Sequence, residues 1–390
     1  MVIRFALSAL AALLLAPWPG WADWPMLAHD PARSGTAEGP GPRTLALAWA
    51  VEVGGRVDSS PAVVSGKVYV GSTSGDVVAL DAGNGRELWR TRLVGAVVSG
   101  PCVAEGRLYV GTVDGFFACL DVSEGQVLWQ RDVRGPVVSS PACVDGLVVF
   151  GVADGTIHCL AAADGARQWR VPAADQVACS PAVAHGRVFI ADMKGVLHAL
   201  ELATGKVVWR GDLGFFTYAA PVVMDGVVYV GRLDSTQNGG EGEAQLRAFD
   251  AVTGQPKWAA PVPGSVLGSP AVAGGVIYLA AGDKYPTSNS VIYALAAANG
   301  QPRWKRVMAH RIEAKPAQYG DFVVDSAPAL AGGLLYYGGL NGNLYVVDAA
   351  TGTPVSQVEV GSALHSSPAV DGGRVYVGAA DGKLYCFQEP

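Results

Sequence analysis

Three ionisable side chains occupy the same position of a repeated pattern, three residues before a recurring proline: Asp58, Asp325 and His365. They belong to the first, seventh and eighth copies of the pattern, which are neighbours if the repeats close into a ring. Two carboxylates beside an imidazole could hold a metal ion, orient the imidazole or bind a cationic ligand. Polar residues in these places are equally expected on the wall of a water-filled channel. The sequence leaves these interpretations open.

The other five copies place mostly apolar residues at this position. They carry Val98, Val138, Ala178, Tyr218 and Leu267. Tyr218 is the only one of these with a polar group, and it joins the three ionisable residues as a candidate ligand-binding or partner-binding side chain. No serine or cysteine occurs at this position, so the pattern offers no nucleophile for hydrolysis and no catalytic residue. No Cys-x-x-Cys or His-x-x-x-His spacing indicates a structural metal site.

The elements that position these residues come from eight copies of one short pattern. The recurring prolines are Pro61, Pro101, Pro141, Pro181, Pro221, Pro270, Pro328 and Pro368. Their spacings are 40, 40, 40, 40, 49, 58 and 40 residues. In the first copy, strands are predicted at 57–64, 67–71, 76–81 and 87–93. A period near 40 built from short β-type runs predicts an all-β, eight-bladed β-propeller of four-stranded antiparallel blades.

A second recurring residue, tryptophan, predicts how the blades pack and how the ring closes. Six tryptophans each follow a turn glycine by four residues, and Trp49 precedes the first complete copy. The run 45–53 around Trp49 is therefore expected to supply the fourth strand of the last blade and to remove the open edge. Ser356 replaces tryptophan in the seventh copy, which predicts weaker packing between blades 7 and 8. The expected inter-blade residues are Trp49, Trp89, Trp129, Trp169, Trp209, Trp258 and Trp304.

Three insertions interrupt the regular period. They lie at 235–244, at 284–289 and between Trp304 and Pro328. In an antiparallel four-stranded meander these connections leave on one face, so the insertions predict a raised rim, and loops on a rigid scaffold often carry function. Neutral length drift would give the same pattern, because surface loops tolerate insertions at small cost. The candidate partner-binding residues of this rim are Arg306, His310 and Arg311.

Six cysteines are present, and three of them, Cys119, Cys159 and Cys386, share one position of the repeat. An exported protein could pair its cysteines. Equivalent positions in different blades are usually too far apart for a disulfide. We therefore expect free thiols that pack as small buried hydrophobic groups.

The N-terminus has the features of a secretory signal peptide. Arg4 precedes an apolar run at 5–16 that is too short to span a bilayer, and Gly20 and Ala22 offer small residues before a cleavage site. The predicted organisation is a signal peptide at 1–22, an N-terminal extension at 23–44 and the propeller at 45–390. The leader contains no cysteine, so we expect no lipid anchor. The predicted location is periplasmic or secreted, in a bacterial cell envelope.

Charge and hydropathy narrow the classes of partner. The formal net charge is −6 and no basic stripe occurs, so nucleic acid is not an expected partner. No apolar run after the leader is long enough to cross a bilayer, so the mature chain is not expected to span a membrane.

The repeat resembles that of the PQQ-like, or quinoprotein-type, β-propeller family. The resemblance rests on Ala-x-Asp-x-x-Thr-Gly-x-x-x-Trp, seen from Ala248 to Trp258, and on recurring Tyr-Val-Gly and Ser-Ser-Pro-Ala-Val segments. Trp24-Pro25, followed by Asp30 and Ser34-Gly35, is similar to the short segment that precedes the propeller in many exported members. The resemblance covers almost the whole mature chain and implies that the tryptophans pack between neighbouring blades.

This resemblance implies two kinds of function. Quinoprotein dehydrogenases of the family bind pyrroloquinoline quinone (PQQ) and Ca²⁺ over the channel mouth, and many carry a disulfide between adjacent cysteines. This chain has no adjacent cysteines and mostly minimal blades, which is similar to the branch of the outer-membrane assembly factor BamB. That branch implies a non-catalytic scaffold that binds an envelope protein and needs no cofactor. The alternatives are a small PQQ-dependent oxidoreductase with calcium and a ligand-sensing propeller.

Overall fold

A computed structural model describes residues 23–233, 245–262, 266, 268–282, 290–308 and 326–390. These residues contain 32 β-strands and no helix. The strands form eight four-stranded antiparallel sheets, which are the blades of an eight-bladed propeller, as the repeat predicts. Within the described parts of the chain there is no apolar helix of membrane-spanning length.

The strands follow the repeat in chain order, after an N-terminal strand β1 (Ala46–Glu52). Blades 1 to 4 contain β2 (Ala62–Val64), β3 (Lys67–Gly71), β4 (Asp76–Asp81), β5 (Glu87–Arg92), β6 (Cys102–Ala104), β7 (Arg107–Gly111), β8 (Phe116–Asp121), β9 (Val127–Asp132), β10 (Ala142–Val144), β11 (Leu147–Val152), β12 (Thr156–Ala161), β13 (Arg167–Pro172), β14 (Ala182–Ala184), β15 (Arg187–Ala191), β16 (Val196–Glu201) and β17 (Val207–Asp212). Blades 5 to 8 contain β18 (Val222–Met224), β19 (Val227–Arg232), β20 (Gln245–Asp250), β21 (Pro256–Pro261), β22 (Ala271–Ala273), β23 (Val276–Gly282), β24 (Ser290–Ala296), β25 (Pro302–Met308), β26 (Ala329–Ala331), β27 (Leu334–Gly338), β28 (Asn343–Asp348), β29 (Pro354–Glu359), β30 (Ala369–Asp371), β31 (Arg374–Gly378) and β32 (Lys383–Gln388).

We call the four strands of a blade A to D, from the central channel outward. The connections from B to C and from D to A lie on one face, the upper face, and the A–B and C–D turns lie on the lower face. Strand β1 is strand D of blade 8, and it pairs antiparallel with β32 from Ala46 opposite Gln388 to Glu52 opposite Lys383. The predicted closure of the ring by the N-terminal strand is therefore confirmed.

Strand A is shorter than the sequence predicts. A strand is predicted at 57–64, but the hydrogen-bonded ladder of β2 begins only at Ala62, directly after the recurring proline. Proline has no N–H to donate, so the ladder cannot run through Pro61. The residues before each proline are held instead by side chains, as the channel lining shows below.

Each of the seven tryptophans packs against the next blade. The indole Nε1 donates to a carbonyl of the next C–D turn at 2.7 to 3.2 Å. The ring also covers the turn glycine: a Cβ on Gly125 would lie 2.5 Å from Trp89. Gly125 has φ +72, a conformation that also favours glycine. Glycine at this position thus allows both the positive φ of the turn and the close approach of the tryptophan ring.

The ring closure replaces a missing turn. Blade 8 has no C–D turn, because its strand C ends at the C-terminus and its strand D is β1. At this place the backbone N–H groups of Arg43 and Thr44 donate to Glu389 Oε2 at 2.7 and 3.2 Å. The Glu389 side chain thus joins the segment before β1 to the end of β32.

The segment before β1 also explains the absence of a tryptophan in blade 7. Tyr336 donates its hydroxyl to the Pro42 carbonyl at 2.9 Å, and Ser356 Oγ donates to the Arg43 carbonyl at 2.6 Å. The other blades direct a tryptophan to a C–D turn at this place, and blades 1, 2, 5 and 8 also direct a tyrosine to it. Ser356 therefore faces the closing segment and not a regular turn.

The expectation that all the thiols are free is wrong for one pair. Cys102 and Cys143 form a disulfide with a Cα–Cα distance of 6.4 Å. Cys102 directly follows its proline and Cys143 stands two residues after its own, so they are not equivalent positions, and the stagger brings them together. The other four cysteines are free and buried.

Candidate functional site

The residues before each proline alternate between two environments. The residue two before the proline points into its own blade: Ser139 Oγ accepts the Gly151 N–H at 3.0 Å. Cys179 does the same in blade 4, where its Sγ lies 3.1 Å from the Ala191 nitrogen. The residues three and one before the proline therefore face the channel, as expected for successive residues of an extended chain.

The channel contains a cavity of about 770 Å³ with two tiers of side chains. The mouth tier, three residues before the prolines, contributes Asp58, Val138, Ala178, Tyr218 and His365. The serine tier, one residue before the prolines, contributes Ser60, Ser140, Ser180, Ser269 and Ser367, with Ala327 in blade 7.

The structure brings three of the four predicted mouth residues to this cavity. Arg56 Nη2 donates to Asp58 Oδ2 at 2.7 Å, while Asp58 Oδ1 is buried without a hydrogen-bond partner among the described residues. His365 and Tyr218 also line the cavity, and Tyr218 is 50% exposed. Asp325 lies outside the described residues. The mouth thus carries an acceptor, an imidazole and a phenol above an apolar and hydroxylated channel.

An aromatic cluster borders the mouth in the connection between blades 4 and 5. The rings of Phe215 and Phe216 are 4.5 Å apart, and those of Phe216 and Tyr218 are 5.9 Å apart. All three are at least partly exposed on the upper face. The sequence analysis named only Tyr218. The missed signal is the pair Phe215-Phe216 itself, since blade 2 and blade 3 begin at this place with Gly95-Ala96 and Gly135-Pro136.

The N-terminal segment 23–37 covers the lower end of the channel. It runs past successive blades and forms backbone hydrogen bonds with their A strands. Its partners, in blade order, are Val63, Val103, Val183, Val223, Val272 and Leu330. Leu27 of this segment lines the cavity. The channel is therefore entered from the upper face and floored by the chain's own N-terminal segment.

Arg33 fixes this floor with a buried charge that the sequence analysis missed. The side chain is fully buried, and its guanidinium donates to the carbonyls of Leu27, Ser140, Pro141 and Pro181 at 2.6 to 3.0 Å. No carboxylate of the described residues lies within 4 Å of it. Burial lowers the pKa of Arg33 to about 10, so the group stays charged at neutral pH.

One buried pair has the residue types of a catalytic site but no access. His198 Nε2 lies 2.8 Å from Asp192 Oδ2, and the two side chains are 1% and 0% exposed. Three backbone N–H groups also donate to this carboxylate. The pair therefore ties the turn between strands B and C of blade 4 and is closed to a substrate.

The remaining rim residues are separated from the mouth or lie outside the described residues. Arg306 is on β25 and its Nε donates to the Gly352 carbonyl at 2.9 Å, the contact that Arg131 makes with Gly165. This places Arg306 against a C–D turn of the lower face and not on the upper rim. His310 and Arg311 lie outside the described residues, as do the three insertions.

The described residues give a poor fit to PQQ with a divalent cation. Among them no three His, Cys, Asp or Glu side chains converge on one point. Asp58 already pairs with Arg56. The only disulfide of the described residues joins neighbouring A strands, whereas the adjacent-cysteine disulfide of many quinoprotein dehydrogenases has no counterpart in the sequence. We therefore derive no chemistry through such a cofactor.

Solved structures with this fold come from both branches of the family. BamB from Moraxella catarrhalis superposes with a TM-score of 0.69 at 19% identity, covering 88% of this chain and 98% of that one. A europium-containing methanol dehydrogenase gives a TM-score of 0.74 at 15% identity, covering 94% and 98%. The quinohemoprotein alcohol dehydrogenase from Comamonas testosteroni gives 0.71 at 16%, covering 95% and 82%. At these identities the similarity shows the fold alone.

At the level of sequence, the chain matches a protein family but no individual curated relative. No curated protein sequence matches the chain. The family described as outer membrane protein assembly factor BamB matches at residues 36–158, 153–239, 231–304 and 288–389, which together cover almost the whole propeller. The chain therefore belongs to the PQQ-type propeller family that is described by the assembly factor BamB.

Proposed function

We propose that this chain is an exported, non-catalytic scaffold of the cell envelope that binds a protein partner through its upper face. Membership of the BamB-described family supports a propeller scaffold. The single observation that carries the choice of face is the aromatic cluster of Phe215, Phe216 and Tyr218 beside the channel mouth.

The cluster has the properties of a binding anchor. Aromatic side chains are enriched at the centres of protein interfaces, where they bury a large area at small entropic cost. Here they stand in a short connection between β17 and β18, and the Leu233 N–H donates to the Phe216 carbonyl at 3.2 Å. The rigid propeller thus presents exposed apolar surface on one loop. Loops on stable scaffolds often bind partners in this way.

A capture experiment with matched variants tests the assignment of the face. Phe215, Phe216 and Tyr218 are replaced together by serine, and the tagged protein is incubated with envelope extract and cross-linked. The control is Val252→Ser, which removes an apolar side chain that is 62% exposed on the C–D turn of the same sector but on the lower face. We expect partner capture to be lost in the triple variant and kept in the control, with unchanged thermal unfolding in both.

Two further measurements separate the alternatives. Loss of capture in Val252→Ser and retention in the triple variant would contradict the proposal. Titration with PQQ and Ca²⁺ tests the oxidoreductase alternative, because a bound quinone would add absorbance to the protein. Export is tested by sequencing the N-terminus of the mature protein, which we expect at Asp23.

A further inference from the structure

The serine tier of the channel has unused hydrogen-bond donors. Each hydroxyl oxygen accepts a backbone N–H from the preceding blade: Gly100 N–H to Ser140 at 2.8 Å and Ser140 N–H to Ser180 at 2.9 Å. The same contact recurs at Ser269, Ser367 and Ser60 at 2.9 to 3.0 Å. Among the described residues, none of these five hydroxyls donates to a protein acceptor. A hydroxyl whose oxygen already accepts a hydrogen bond can direct its proton into the channel.

A buried positive charge lies beside two of these hydroxyls. Arg33 donates from Nη2 to the Ser140 carbonyl at 3.0 Å and from Nε to the Pro181 carbonyl, next to Ser180, at 2.9 Å. Its four hydrogen bonds go to neutral carbonyls, and no carboxylate of the described residues pairs with it. The carboxylate of Asp30 acts on Arg33 only from beyond ion-pair distance. A buried charge without a direct ion pair favours a further negative group nearby, since the interior screens the attraction less than water does.

We propose that the floor of the channel at blades 3 and 4 binds the carboxylate of a small organic acid, through the hydroxyls of Ser140 and Ser180 above Arg33. A carboxylate only accepts hydrogen bonds, which matches hydroxyls whose protons are not used by the protein. Val138 and Ala178 lie above the pair and give an apolar wall for the body of the ligand. The cavity of about 770 Å³ has the size of a small-molecule site.

The opposite side of the same tier is the natural comparison. Ser60 and Ser367 make the same inter-blade contact at 3.0 Å, but they lie below Asp58 and His365, and Arg33 bonds to neither of their carbonyls. The charge on that side is the Asp58 carboxylate, which already pairs with Arg56. The two serine pairs therefore make the same inter-blade hydrogen bonds but differ in the charges around them. The ligand is expected only at Ser140 and Ser180.

Binding of benzoate and of its neutral amide, benzamide, to the full chain tests the site by calorimetry. We expect benzoate to bind more tightly than benzamide by about ten-fold, the effect of one charge-assisted hydrogen bond. Ser140→Ala with Ser180→Ala should weaken benzoate by about ten-fold or more. The control, Ser60→Ala with Ser367→Ala, removes the same type of inter-blade contact and should leave benzoate affinity unchanged within about two-fold.

A blocking variant keeps the test decisive if a serine pair proves necessary for folding. Leu27→Trp enlarges a side chain that lines the floor of the cavity but removes no donor, so it should also abolish benzoate binding. Equal affinity for benzoate and benzamide, no detectable binding of benzoate, or equal losses in the two serine pairs would each overturn the proposal. The readout needs no protein partner, so its failure is distinct from a failure of the proposed scaffold function.

Discussion

Asp371 provides a test of how the N-terminal segment is held on the ring. It ends β30, is only 3% exposed, and its Oδ1 has no hydrogen-bond partner among the described residues. The equivalent residues of the other blades are aliphatic: Val64, Ala104, Val144, Ala184, Met224, Ala273 and Ala331. Burial and, to a smaller extent, the charge of Asp23 raise the pKa of Asp371 to about 7, although His29 and Arg374 offset part of the shift.

The sign of the effect on stability follows from the two protonation states. In the unfolded chain an aspartate releases its proton near pH 4, whereas folded Asp371 keeps it until about pH 7. The folded protein therefore binds the extra proton between these values, and the contribution of Asp371 to stability falls as the pH rises through this window. Three pH units correspond to about 4 kcal/mol at most, and water near the exposed Asp23 reduces the expected loss to about 2 kcal/mol.

Unfolding by denaturant between pH 4 and pH 8 measures this loss. Asp371→Asn removes the titration, so we expect the variant to match the wild type near pH 4 and to exceed its stability by about 2 kcal/mol at pH 8. Asp145→Asn, in an exposed A–B turn of blade 3, makes the same charge change and serves as the control. A difference in unfolding free energy between Asp371→Asn and the wild type that does not vary with pH would contradict this expectation. So would a wild type that is more stable than the variant at pH 8.

Three other predictions concern the closure of the ring and the thiols. Deleting residues 1–53 removes β1 and the channel floor and exposes the edge of β32, so we expect aggregation or a much lower melting temperature; an unchanged melting temperature would contradict the role of this strand. Ser356→Trp should raise the unfolding midpoint, because burial of the added ring should stabilise the fold by on the order of 1–3 kcal/mol and the Arg43 carbonyl can accept a hydrogen bond from the indole. A lowered midpoint would show that the new side chain overpacks the site. In denaturant without reductant, alkylation should label four thiols, because Cys102 and Cys143 are bonded; labelling of six would disprove the disulfide.

The architecture could be predicted from the sequence because each repeated residue has one local task. Trp89 and its equivalents bond to the next blade, and the turn glycine under each ring must have both a positive φ and no side chain. These requirements recur with the period, so comparing copies detects them. The comparison also placed Trp49, and with it the closure of the ring, before any contact was known.

The parts that could not be predicted are those without a repeat. Arg33 acts through four carbonyls, three of which lie 107 to 148 residues from it in sequence, and no other copy has an equivalent residue. Glu389 bridges the chain ends at a turn that only blade 8 lacks. Phe215 and Asp371 are different. Asp371 stands where the other blades carry apolar residues, and Phe215 stands where five of them carry glycine or serine. Departures from the repeat were therefore visible at these two places, and a closer comparison of the copies would have found them.

Access to the channel links the two proposed sites. The N-terminal segment covers the lower end, so a ligand at Ser140 and Ser180 must enter and leave past the mouth tier. The aromatic cluster includes Tyr218, which belongs to the wall of the channel and is also half exposed on the upper face. A partner that buries this side chain would cover part of the upper opening of the channel. Such a cover slows the entry and the release of a carboxylate alike, so we expect a bound partner to lower both exchange rates. A change in affinity would require a contact between the partner and the ligand or its site.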